Sequence, residues 1–193
     1  MDSDSLAKRR DVLIRLLKDH DRTVSSAAAA ALERLDEIRS IDDILAQLKK
    51  GTLPEKVRAI YALGEIGGDK VMAPLLYCAS RPEDDLKGAA IDALGRTGNR
   101  AAIPVLLERL KDGNSGIQAR AIKALGQFHD RTLVPNLLPF LDAGDGLTDV
   151  EAALALGYIG DPEFADQLIR LADSPVAETR TAAATALGLL RPA

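Results

Sequence analysis

The chain holds few side chains able to make or break bonds. It has two histidines, His20 and His129, and one cysteine, Cys78. A zinc ion needs three or four such ligands converging on one point, and His20 and His129 close helical segments that lie several repeats apart. Both are read as loop histidines, and Cys78 as a small core residue. No glycine loop of the phosphate-cradling kind and no serine, histidine and aspartate constellation is visible. The expectation is therefore no catalytic residue, no metal ligand and no cofactor. What remains chemically expressive is a stripe of arginine, tyrosine and charged side chains: Arg58, Tyr61 and Glu65, then Asp92 and Arg96, then Arg120, Lys123 and Gln127, then Glu151, Leu154 and Tyr158, and lastly Thr185 and Leu189. Solubility alone allows exposed helix positions to vary. Two of the three tyrosines fall in this stripe, however, and tyrosine and arginine are favoured interface anchors because they join a large contact area to directed hydrogen bonds. The third, Tyr77, is expected to pack on the opposite side.

These side chains are positioned by a repeat. An Ala-Leu pair recurs at Leu32, Leu63, Leu94, Leu125, Leu156 and Leu187, each leucine 31 residues beyond the last. Glycine follows at Gly64, Gly95, Gly126, Gly157 and Gly188, whereas the first copy has Glu33. A fixed period of this size marks stacked units, each burying its apolar face against its neighbours. Within each period two helical patterns alternate. The first helix is clearest at Ile103, Leu106, Leu107 and Leu110, one apolar stripe at helical spacing. Its counterparts begin with Leu13, Ile14 and Leu17 and then Ile41, Ile44, Leu45 and Leu48. Asn99, Asp130 and Asp161, again 31 apart, are placed to cap it, and Pro74, Pro104, Pro135 and Pro139 are expected to bend or shorten it. The second helix reads IQARAIKALGQF in the fourth unit, directing Ile117, Ala121 and Leu125 inward. Glycine within a helix costs about 1 kcal/mol relative to alanine, so its recurrence after the leucine points to tight backbone contact. Gly67, Gly98 and Gly160 suit a left-handed helix stop, a column that His129 occupies in the fourth unit.

The second-helix pattern, V/I-R/Q-x-x-A-A/I-x-A-L-G-x-I/F-G, together with the proline and paired leucines of the first helix, resembles the short HEAT-like repeat first associated with phycobilisome lyases. The resemblance covers nearly the whole chain and implies an all-α, right-handed solenoid of six helix pairs. These pairs fall at about 5–36, 37–67, 68–98, 99–129, 130–160 and 161–190, within a single domain over 1–193. It also implies that the second helices line a concave side and the first helices a convex one. The stripe would then lie in a groove on the order of 50 Å long, suited to a protein segment or a folded domain. Basic residues at its centre with Glu65, Asp92 and Glu151 around them suggest a polar, charge-complementary protein partner.

Other HEAT-like proteins set the alternatives. Deoxyhypusine hydroxylase uses repeated His-Glu pairs for its iron, and no His-Glu dipeptide exists in this chain, so that enzyme is rejected. A bilin lyase or isomerase subunit stays open, because the scaffold alone does not diagnose it. A HEAT-like nucleic-acid binder is disfavoured by a net charge of -4 and by the absence of tryptophan. The expected function is a non-enzymatic scaffold that binds a partner protein. No stretch is long and apolar enough to span a bilayer, no export signal opens the chain, and the single cysteine suits a reducing compartment, which together point to the cytoplasm. The charged first helix suits a cap on the stack. At the other end, AETRTAAATALGLLRPA leaves alanines and Leu189 or Leu190 with little polar cover, to be read either as a surface for self-association or partner contact or as a frayed terminus.

Overall fold

The computed structural model describes the backbone of residues 3–190, and side chains within that range apart from residues 3–6 and 36–39. The described residues form eleven α-helices and four short 3-10 turns, with no strand. Packing divides the chain at Gly51 into two units.

Residues 1–51 hold α1 (Ser3–Leu16) and α2 (Arg22–Lys50), packed on each other. Asp21 caps α2, its carboxylate accepting from the Thr23 amide at 2.7 Å and from the Thr23 hydroxyl at 2.6 Å. These bonds hold its carboxyl below the ordinary aspartate range. The helix break expected between residues 36 and 37 does not occur: α2 runs unbroken for 29 residues. Its sequence has neither glycine nor proline, so nothing supplies the left-handed residue or the missing donor that would end it. The inward stripe expected for the first helix also differs. Ile14 and Leu17 are exposed, and of the three only Leu13 is partly covered.

Residues 52–190 form an α-solenoid. Its second helices are α3 (Leu53–Ile66), α5 (Asp84–Thr97), α7 (Ser115–Gly126), α9 (Thr148–Ile159) and α11 (Ala177–Leu189), each packed against the next. The first helices α4 (Asp69–Ala79), α6 (Ile103–Arg109), α8 (Val134–Leu137) and α10 (Ala165–Leu171) cover α5, α7, α9 and α11 respectively. Leu63, Leu94, Leu125 and Leu156 are fully buried, and so are Leu75, Leu106, Leu137 and Leu168, one from each first helix. Two columns spaced by the repeat therefore build one continuous core.

A residue of positive φ follows each of the second helices α3, α5, α7 and α9. Gly67, Gly98, His129 and Gly160 have φ of 65°, 62°, 49° and 75°. The expected caps form, with Asn99, Asp130 and Asp161 accepting from amides two residues on at 3.0, 2.9 and 3.1 Å. Proline acts in two ways. Pro104 and Pro135 sit in the first turns of α6 and α8, where no intrahelical donor is lost, while Pro139 lies in the 3-10 turn Leu138–Asp142 that follows the four-residue α8. Pro74 stays inside α4 without ending it.

The glycine after each leucine marks close approach. A Cβ on Gly64, Gly95, Gly126 or Gly157 would lie 2.7, 2.9, 2.7 or 2.8 Å from the Cβ of Ala93, Ala124, Ala155 or Ala186 on the following second helix. Real Cβ atoms do not approach so closely, so only glycine permits this spacing. A Cβ on Gly188 would meet nothing within 4 Å beyond its own helix.

Candidate interaction face

Residues 31 apart stand side by side on neighbouring second helices, so the stripe becomes a lateral row of side chains across α3, α5, α7 and α9. Tyr61 on α3 donates its hydroxyl to Asp92 Oδ2 on α5 at 3.3 Å. Arg120 on α7 forms an ion pair with the same carboxylate oxygen. The Arg96 guanidinium lies over the Tyr61 ring, 5.0 Å from its centroid. Four of the expected residues thus form one chain of contacts, Arg96 to Tyr61 to Asp92 to Arg120, spanning three helices.

Two clefts open along this row. One, of about 440 Å³, is lined by Asp92, Arg96, Arg120, Lys123, Gln127 and Glu151 among others. The second, of about 610 Å³, is lined by Arg58, Tyr61, Asp84, Asp85 and again Arg120. Glu151 is half-buried at the wall of the first. Burial pushes its carboxyl up, Lys123 opposes that shift, and Asp92 adds to it. Glu65, Leu154 and Tyr158 line neither cleft. Tyr158 lies at the end of α9, where His129 meets its ring edge-on at 6.3 Å and places Nδ1 2.7 Å from its carbonyl oxygen. A carbonyl only accepts, so the Nδ1–H donates. Tyr77 does not pack as expected: it is exposed on α4, with Arg81 over its ring and donating to its hydroxyl at 3.1 Å.

Two contributors escape a reading of the sequence by columns. Gly88 sits within α5, and a Cβ there would lie 3.2 Å from Cδ and Nε of Arg120. The bare backbone makes room for the Arg120 stem on its way to Asp92; the signal was a second glycine inside a helix that already spends one on packing. Lys87 is the other. Its ammonium is almost wholly buried between Asp112, at 2.8 Å, and Asp84, at 3.0 Å, while Asn114 donates to Asp84 at 2.8 Å. The Asp112 bond, followed by that to Asp84, holds the ammonium above the ordinary lysine range, and the bond from Lys87 holds both carboxyls below theirs. No sequence pattern distinguishes this lysine from a solvated one.

On the side of the first helices, ion pairs between successive repeats join Arg100 to Asp130 and Arg131 to Asp161 and Glu163. Cys78 is buried, and burial pushes its thiol up. Among the described residues no group of three or more His, Cys, Asp or Glu could hold a metal ion, and no helix is long and apolar enough to cross a membrane.

The family model described as HEAT repeats matches residues 41–117 and 103–188. Among solved structures, the complex of CpcE and CpcF of phycocyanin lyase from Nostoc sp. PCC7120 is similar at 24% identity, over 78% of this chain and 64% of that one, with a TM-score of 0.68. This chain therefore spans less than two thirds of that protein's length. An engineered protein is similar at 20% identity over 93% of this chain and 95% of its own, with a TM-score of 0.56. Human deoxyhypusine hydroxylase in complex with glycerol aligns at 19% identity over 96% and 88%, with a TM-score of 0.47. A search of curated proteins gives no match.

Proposed function

The chain belongs to the HEAT-repeat family, and from that premise we propose that it is a non-enzymatic scaffold that binds a partner protein through the face formed by α3, α5, α7 and α9. The observation that carries this reading is the contact chain Arg96, Tyr61, Asp92 and Arg120, which fixes interface-type side chains over two adjoining clefts. Side chains ordered before docking lose less freedom on binding, so modest contacts yield useful affinity. The similar cyanobacterial lyase structure is a complex of two chains, which supports a protein as the partner.

The test is capture from native cell extract. Replacing Tyr61, Arg120 and Tyr158 together with alanine is expected to weaken retention of the partner at least about tenfold while leaving thermal unfolding nearly unchanged. Undiminished retention would place recognition elsewhere. A second reading, as a lyase-type subunit, draws on the fold shared with the CpcE and CpcF pair. Mixing the protein with a linear tetrapyrrole and finding no change in absorbance removes it.

A further inference from the structure

The charges along the interaction face are not equally available. Asp92 is committed: one of its oxygens receives both the Tyr61 hydroxyl and the Arg120 guanidinium. Arg96 and Lys123 are exposed, line the same cleft, and make no ion pair among the described residues. The Arg96 guanidinium lies over the Tyr61 ring, 5.0 Å from its centroid, which leaves its N–H groups without a hydrogen-bond partner among the described residues. A guanidinium so presented matches the paired oxygens of a carboxylate, whereas a freely rotating side chain would first have to be ordered.

From this arrangement we propose that Arg96 and Lys123 form a clamp for a carboxylate side chain of an acidic segment in the partner protein, with Tyr61, Asp92 and Arg120 as positioning residues. The proposal rests on the interaction-face reading above and names the chemistry of its partner. Charge complementarity favours a protein over a nucleic acid. Asp92 and Glu151 share the cleft with Arg96, Arg120 and Lys123, so one carboxylate is accommodated while a run of closely spaced phosphates meets repulsion.

Fluorescence anisotropy with labelled oligoglutamate tests the clamp, with oligoglutamine and oligothymidylate of equal length as controls. Oligoglutamate is expected to bind best, and to weaken steeply between about 0.05 and about 0.5 M salt. Arg96→Ala and Lys123→Ala, both at exposed positions that leave the core intact, should each weaken it about tenfold. Tyr61→Phe keeps the ring beneath Arg96 but drops the bond to Asp92, so it should retain more affinity than Tyr61→Ala, with circular dichroism showing both variants as fully folded as wild type under the binding conditions. Glu151→Gln removes an opposing charge and should tighten binding.

The proposal is overturned if oligoglutamate binds no better than oligoglutamine, if oligothymidylate binds as tightly, or if the Arg96 and Lys123 variants bind as wild type does. Loss of native-partner capture in the triple variant, combined with no oligoglutamate binding, would leave the interaction face standing and remove the clamp. The expected variant pattern with oligoglutamate, combined with undiminished capture, would support the clamp and remove the face as the site of that partner.

Discussion

Residues 3–51 and residues 52–190 carry the same 31-residue pattern and reach different degrees of closure. In the first unit Ala28 is the single fully buried side chain among the described residues, while Val12, Ile14 and Leu17 stay exposed. In the second, Leu63, Leu94, Leu125 and Leu156 in one column and Leu75, Leu106, Leu137 and Leu168 in the other vanish from solvent, and only Leu187 at the last step stays partly covered. Both units have alanine and leucine in register, so apolar content does not separate them. The separating feature is glycine. The second unit has it after the leucine, where neighbouring helices touch, and at most of its helix ends, where the chain must turn. The first unit has Glu33 at the contact position and no glycine until Gly51. Close stacking in this protein therefore depends on where side chains are missing as much as on where they are apolar.

The most damaging way to break this contrast is to fill an interior contact. Gly126→Val sets branched carbon against the backbone and side chain of Ala155 and is expected to cost at least about 3 kcal/mol, read by chemical denaturation. Glu33→Val, in the same column of the first unit, should cost only a helix-propensity difference of about 0.5 kcal/mol. Equal costs at the two positions would refute the glycine explanation.

A smaller effect should follow from Lys87→Met, which keeps the stem packed but takes the ammonium from the nearly buried Asp112 carboxylate, at about 2 kcal/mol. The same brace makes the second unit acid-sensitive. The carboxyls of Asp84 and Asp112 are depressed on folding, so their contribution is complete above pH about 4 and is lost as pH falls below it. The Lys87 ammonium is raised, so its contribution persists through neutrality and is lost only above pH about 10.4. Thermal melts of Lys87→Met and wild type should therefore converge in acid. The gentlest test is Gly188→Ala, where nothing blocks a methyl group; a gain of about 0.5 to 1 kcal/mol is expected, opposite in sign to any filling of Gly126.

Much of this was legible in the amino acids because packing admits few substitutes. Leu63, Leu94, Leu125 and Leu156 repeat because each fills the same hole, and Asn99, Asp130 and Asp161 because each caps the same turn. The unbroken α2 is legible from a stretch without glycine or proline, a signal that competes with the regular spacing of the leucines. The interaction face was only half visible. Column spacing makes Tyr61 and Asp92 neighbours, but that Arg120 crosses to Asp92 depends on the space above Gly88, which appears only when two helices are side by side. Lys87 was hidden for a simpler reason: a charge becomes buried through partners from elsewhere in the chain, and Asp112 lies 25 residues away.

The alanine-to-glycine contacts between second helices have a mechanical consequence. Joints made of bare backbone and single methyl groups have no rotamers to exchange, so a neighbour cannot be accommodated by reshuffling at the seam. Any bending of the row from α3 to α11 must be divided into small rigid rotations, one per joint. A surface assembled in this way works like the jaws of a caliper, admitting shapes that fit its gauge and yielding little to those that do not.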